Sequence, residues 1–308
     1  MWRFRSDSPA SAVQDLPISE FINFDFCILD SHCTLISVPV ICFPNAKINL
    51  GLHVMEKRPD GYHSIETVFH PVSLSDILEM VPSEEPGVRL AVSGIPLAGD
   101  PGSNLVMKAV TVWKEAGFDP ASSSFPKTDG HRRDTAHGLQ IHLHKIIPPG
   151  SGLGGGSSDG AATLNMLNEW SGLNLPLTEL HRMAALLGSD CPFFIISKPA
   201  FATGRGEILE PVPVDLSAWK IVVEIPPVHV NTAEAYSLVT PRKPETPLRK
   251  IIKLPVEAWK GKLINDFEEP VMNRYPVIRE VREKLYHQGA VYAAMSGSGS
   301  AVFGLFGK

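Results

Sequence analysis

The segment PPGSGLGGGSSDG, residues 148–160, holds six glycines in the eleven residues from Gly150 to Gly160. It lies between an apolar stretch, LQIHLHKII, and a helical pattern, SSDGAATLNMLNEW. Such a loop has no side chains to hold its backbone away from a ligand, and glycine reaches positive φ at no steric cost. The helix start behind it offers free amides and a partial positive charge. Together these make an anion cradle, so this part of the chain reads as a strand, a backbone-lined loop and a buried helix. Ser157 and Ser158 are placed to cap that helix, and their hydroxyls can reach a phosphate oxygen.

The loop narrows the nucleotide chemistry further. Gly150, Gly152 and Gly155 satisfy a dinucleotide fingerprint, but that motif needs a βαβ unit and an acidic residue about 20 positions on. Residues 170–177 instead form a polar loop leading to another helix. A P-loop needs Lys-Ser/Thr after its glycines, where this chain has Gly156-Ser157. H-R-D and D-F-G, the protein-kinase signatures, are absent. The sequence therefore predicts a nucleotide-phosphate loop that takes its lysine from elsewhere.

Composition excludes several other classes. Hydrophobic residues are 44% of the 308 and charged residues 20%, which rules out a disordered chain. The net charge of −5 and the lack of a basic run argue against nucleic-acid binding. Cys27, Cys33, Cys42 and Cys191 form no C-x-x-C pair, so a reducing, cytoplasmic setting is expected. No run of about 18 apolar residues predicts a membrane span. The start, MWRFRSDSPASAVQD, is a poor secretory signal. Residues 1–39 show no firm period and are expected to be a disordered or non-native extension.

From Val40 the texture becomes regular. VICFPNAKINLGLHVMEKR predicts two short strands, and Asp60-Gly61 a turn. Leu105, Ala109, Val110 and Trp113 are at helical spacing, ended by Gly117. Residues 118–138 read as an exposed loop. A second helix is expected from Thr178 to Gly188, and FFII at 193–196 reads as a short apolar strand. IVVEIPP opens a second α+β unit that ends in VYAAM, a glycine-rich turn and AVFGLF.

Two polar residues stand out beside the loop. Lys47 and Asn49, in PNAKINL, share one face of a strand under period-two geometry. A strand lysine is commonly on a solvated face; paired with Asn49 it can instead line a site. Asp190, in LGSDCPFF, is either a turn aspartate or a partly desolvated base kept ionised by a basic neighbour. SGSGSAVFG at 296–304 is a second glycine-rich turn, read as a hairpin or as the other wall of a phosphate cleft. His142 and His144 share a strand face, but no third metal ligand is evident.

These pieces, in this order, resemble the GHMP kinase superfamily. The loop is similar to its central motif PxxxGLGGGSS, and PNAKINLGL, DGYHSIETVF, LGSDCPFF and SGSGSAVFG extend the likeness over about residues 41–308. The resemblance implies an α+β, two-domain fold: a ribosomal-protein-S5-like ATP-binding N-terminal domain, expected over 40–204, and a ferredoxin-like C-terminal domain over 205–308. The active site is then in the cleft between them.

It also implies ATP-dependent phosphorylation of a small alcohol, with Mg²⁺ held mainly by the ATP phosphates. By motif position, Asp190 accepts the hydroxyl proton, and Lys47 orients it and stabilises developing charge. Asn104 is placed near the adenine. Pro148, Pro149, Gly150, Ser151, Gly152, Leu153, Gly154, Gly155, Gly156, Ser157 and Ser158 make up the ATP phosphate loop. The Tyr62-His63 pair points to members whose alcohol, methylerythritol, is linked to cytidine diphosphate. Tyr62 and Tyr236 are placed to stack on the base, His63 to read its edge, and Asn49 and Thr232 to complete the pocket. A monomer or weak homodimer is expected, with no nucleic-acid or membrane partner. Asp159-Gly160 replaces the common Asn-Ala after the serines, which should weaken the first helical turn by roughly 0.5–1 kcal/mol. A kinase for another alcohol, a non-catalytic nucleotide binder and an oxidoreductase are the competing readings.

Overall fold

The alternation at Asn45–Lys57 folds as one long strand, buried from Ala46 to Val54, because both of its faces are covered. The computed structural model describes residues 39–97, 101–120 and 138–308. The predicted extension up to residue 38 and most of the predicted loop at 118–138 lie outside the described residues.

In chain order the elements are β1 (Val40–Cys42), β2 (Asn45–Lys57), β3 (His63–Ser75), β4 (Ile77–Ser83), β5 (Gly87–Gly94), α1 (Leu105–Glu115), β6 (Gly138–Lys145), α2 (Gly155–Ser171), α3 (Leu177–Leu187) and α4 (Cys191–Ile196). They continue as β7 (Ala200–Thr203), β8 (Ile208–Pro211), β9 (Trp219–Glu224), α5 (Thr232–Ser237), α6 (Leu248–Ile251), α7 (Glu268–Arg274), α8 (Pro276–His287), β10 (Tyr292–Met295) and β11 (Val302–Gly307).

The strands form three sheets, ordered β1-β4-β6-β5, β2-β3-β7-β8 and β10-β11-β9. All neighbours are antiparallel except β5 and β6. The β7–β8 hairpin spans residue 204, so the strand after the expected domain boundary pairs with the sheet before it.

α1 begins where Asn104 accepts a hydrogen bond from the Val106 amide, a side-chain cap at the position that the helical spacing predicts. α2 buries Ala161, Leu164, Leu167 and Trp170, as its wide apolar face requires, and stops at Gly172 in the left-handed region. The predicted FFII strand is corrected: residues 191–196 are helical, with Pro192 in the first turn. A short apolar run buried on all sides has no period to separate helix from strand, and Pro192 favours a helix start. Capping by Ser157 and Ser158 is likewise corrected. The cap is Gly154, so both serines lie inside the first turn of α2.

One buried cluster packs α1–α4 on the first sheet through Trp113, Leu164, Met183 and Phe193. A second joins distant parts of the chain: Ile48, Leu50 and Phe201 share it with Trp259, Tyr292 and Phe303. A third packs α7 and α8 on the β10-β11-β9 sheet, with Val271, Ile278 and Leu285. No helix among the described residues is long and apolar enough to cross a membrane.

Candidate active site

The glycine-rich loop leaves β6 and enters α2, and its shape depends on left-handed glycines. Gly152 has φ +80° and Gly154 φ +73°, conformations that L side chains rarely adopt. A Cβ at Gly152 would overlap the Ser296 carbonyl oxygen, so the loop lies directly on the second glycine-rich turn. Ser296 Oγ donates to Gly152 O at 2.9 Å, and the Ala301 amide donates to Ser151 O at 2.9 Å. The turn joins β10 to β11, as the hairpin reading has it, and braces the loop.

Lys47 brings an ammonium to the loop. It is 3% exposed, and its backbone amide donates to Leu153 O at 2.9 Å. Its Nζ donates to Gly152 O at 3.0 Å and Asn49 Oδ1 at 2.7 Å, and lies 3.5 Å from Asp190 Oδ2. Burial pushes the lysine below its ordinary pKa, while the Asp190 charge and hydrogen bond oppose that shift. Asp190 precedes α4, and 32% of its side chain is exposed. The arrangement is an ammonium held by two hydrogen bonds beside a partly exposed carboxylate.

Asn49 shares the face of Lys47, as strand parity predicts, but it is almost wholly buried. Its Oδ1 accepts from Lys47, and its Nδ2 donates to Thr67 Oγ1 at 2.9 Å. The structure shows it holding the lysine.

The residues expected around a base gather on both sides of the chain's midpoint. The rings of His63 and Tyr236 stack at 4.6 Å with an interplanar angle of 16°, and Phe267 meets Tyr236 edge-on at 4.9 Å. Burial, then the nearby Asp190 charge, pushes the Tyr236 hydroxyl up to about 12. Burial, with Lys57, pulls His63 below its ordinary value. Tyr62 stands apart from that stack. It is 55% exposed, with the Arg205 guanidinium 4.8 Å from its ring centroid. Thr232 opens α5, its hydroxyl 3.3 Å from Ser298 Oγ of the second turn.

On the other side of the loop, a cavity of about 640 Å³ is lined by Asn104, Pro149, Gly156 and β5 residues such as Leu90 and Val92. Asn104, Pro149 and Gly156 are therefore brought together at one cavity. His142 and His144 lie exposed on β6, and among the described residues no three His, Cys, Asp or Glu side chains converge as a metal cage.

Sequence reasoning missed four participants. Ser296 begins the second glycine-rich turn, where only the backbone was read, and Arg205 lies in the turn between β7 and β8. Asn265 is buried, and its Nδ2 donates to Met295 O at 2.9 Å and Gly297 O at 2.8 Å, which pins the second glycine turn. Phe69 lies under the lysine, its centroid 5.1 Å from Nζ. A glycine-rich turn signals a bend, but the side chain that it will touch is visible only in three dimensions.

Comparison with known proteins gives the family. Residues 104–198 match the family model for the GHMP kinases N terminal domain, and residues 252–308 that for the GHMP kinases C terminal. Two proteins named 4-diphosphocytidyl-2-C-methyl-D-erythritol kinase, from Parabacteroides distasonis and Bacteroides thetaiotaomicron, are each 48% identical over 87% of this chain and 92% of their own. A crystal structure of 4-(cytidine 5'-diphospho)-2C-methyl-D-erythritol kinase superposes with a TM-score of 0.66 at 33% identity, covering 86% of this chain and 90% of that one. A homoserine kinase from Cytophaga hutchinsonii shares the fold at a TM-score of 0.54 and 17% identity, covering 88% and 86%.

Proposed function

This chain belongs to the GHMP kinases, in the family of 4-diphosphocytidyl-2-C-methyl-D-erythritol kinases, and from that premise we propose that Lys47 and Asp190 are its catalytic pair. The reaction is ATP-dependent phosphorylation of the 2-hydroxyl of 4-diphosphocytidyl-2-C-methyl-D-erythritol to the 2-phosphate. It is a step in the non-mevalonate, methylerythritol phosphate route to isoprenoid precursors.

The observation that carries the assignment is Lys47 Nζ, bonded to Gly152 O of the loop and 3.5 Å from Asp190. One side chain thereby ties the phosphate site to the base. Asp190 takes the hydroxyl proton as the oxygen attacks, and Lys47 holds Asp190 and offsets charge that develops on the transferred group. General-base help is worth roughly 10²–10⁴-fold. Positioning and electrostatic stabilisation supply most of the remaining acceleration in phosphoryl transfer.

The backbone from Pro148 to Ser158 holds the triphosphate, which its left-handed glycines and the α2 N-terminus suit. Among the described residues no three His, Cys, Asp or Glu side chains would hold a metal by themselves, so Mg²⁺ would come with the nucleotide and would supply charge neutralisation at its phosphates. Asn104 and the cavity beside it take the adenosine. Tyr62, His63 and Tyr236 take the cytosine, Thr232 borders the rest of the substrate, and Asn49, almost wholly buried, acts through the lysine that it holds. The free thiols of Cys42 and Cys191 fit a reducing, cytoplasmic setting. The chain acts as a monomer or weak homodimer. The division between domains is at the β8–β9 connection, because β8 pairs back onto β7.

A phosphoryl-transfer assay with ATP tests the reading. The cytidyl substrate should turn over, and mevalonate, homoserine and galactose should not. Equal turnover of an alcohol lacking the cytidine would overturn the substrate assignment.

A further inference from the structure

Beneath the phosphate loop is a charged cluster that the mechanism above does not use. Lys145, the last residue of β6, is buried, and its Nζ donates to Asp76 Oδ2 at 2.5 Å and Asp159 Oδ2 at 2.8 Å. Asp76, fully buried between β3 and β4, turns its other oxygen to the backbone: Oδ1 accepts from the amides of Ile146 at 2.5 Å and Ile147 at 2.8 Å. Those two residues lead directly into Pro148 and the loop. At the exit, a Cβ on Gly155 would lie 3.2 Å from Lys145 Nζ, and Asp159 is in the first turns of α2. The cluster thus grips the loop at both ends, and Lys145 and Asp159 line the cavity beside it.

Its charge count is unusual. Two carboxylates against one ammonium would place a buried net negative charge under a loop built to receive an anion. Asp159 is also unevenly satisfied, because its Oδ1 is buried without a hydrogen-bond partner. A bare carboxylate oxygen in that position is costly, whereas a protonated carboxyl is much less so.

We propose that Asp76, Lys145 and Asp159 are positioning residues that hold the phosphate loop open for the nucleotide, and that they do so with a proton on Asp159. This rests on the assignment of residues 148–158 as the ATP phosphate loop. With that proton the cluster is neutral, its ammonium balanced by Asp76, and nothing beneath the loop repels the triphosphate. Burial, reinforced by Asp76 and opposed by Lys145, raises Asp159 to about 8. Among the described residues the Cys42 thiol on β1 also faces it, pushed up to about 12 and therefore uncharged.

The sign follows from the direction of the shift. Below about pH 8 Asp159 is neutral and the loop accepts ATP. As pH rises through that value the carboxylate forms and binding weakens. By linkage, ATP bound above that pH must draw a proton onto Asp159.

Calorimetric titration of the full chain with Mg·ATP between pH 7.5 and 9.5 tests this. The wild type should weaken about fivefold across that range, and Asp159→Asn, neutral at every pH, should keep one affinity. At pH 8.5, titrations in two buffers of different ionisation enthalpy should show the wild type taking up about half a proton per ATP. That second measurement needs no variant, so it stands even if Asp159→Asn fails to fold. A wild-type change below about twofold, no proton uptake, or a parallel weakening in Asp159→Asn overturns the proposal and leaves the phosphate-loop assignment intact. Absence of ATP binding at every pH removes the assignment itself, and the proposal with it.

Discussion

At the scale of single residues, the site is organised around one carbonyl. Gly152 O accepts from both Lys47 Nζ and Ser296 Oγ, so the Lys47 ammonium and the second glycine turn are fixed to the same atom. Asp190 is less constrained, with no capping bond and a partly exposed side chain, as a group that must meet a substrate should be. Asp190→Asn keeps the shape but lowers the basicity. Its kcat should fall roughly 100-fold or more while the KM for ATP stays within about threefold. Steady-state kinetics checks this, and an unchanged kcat removes Asp190 as the base. Strand parity was enough to place Lys47 and Asn49 on one face. It could not show that Asn49 is enclosed by Thr67 and the lysine, because Thr67 is on a neighbouring strand.

At the scale of elements, the loop and the turn are two backbones in contact without side chains between them. Gly152→Ala adds a methyl group where the Ser296 carbonyl already lies, at a φ of +80°. That change should cost about 1–3 kcal/mol of stability from the strained conformation, with more from the overlap. It should also raise the KM for ATP by tenfold or more, since the loop must move to relieve the contact. A thermal shift together with an ATP titration measures both, and a variant that matches the wild type in each would contradict the packing. The helices α1, α2 and α3 were legible because their apolar spacing runs for 11 to 17 residues. α4 was not, because six nearly all-buried residues fit either period. The serines failed as caps for a related reason: Gly154, in the left-handed region, lets the helix start earlier than any side-chain signal marks.

At the scale of the molecule, the two family domains do not have separate interiors. Ile147 and Leu153, within the N-terminal match, are in one buried cluster with Trp259, Tyr292 and Phe303 of the C-terminal match, and Ile48 and Leu50 from β2 join it. The Leu52 amide donates to Ile264 O, and the Asp266 amide to Leu52 O, so β2 is tied to the segment before α7 by backbone bonds as well. Calorimetric unfolding should therefore show a single transition, with calorimetric and van't Hoff enthalpies in agreement. Two resolved transitions would mean that the shared core does not couple the halves. None of this was readable from the sequence. Each segment's own pattern was plain, but a strand near residue 50 gives no sign that its partners lie over 200 positions later.

The stacked pair of His63 and Tyr236 has a consequence for admission to the site. If Tyr236 takes the cytosine, as proposed above, an incoming pyrimidine meets an imidazole already lying on that face, and its entry is an exchange of one flat ring for another.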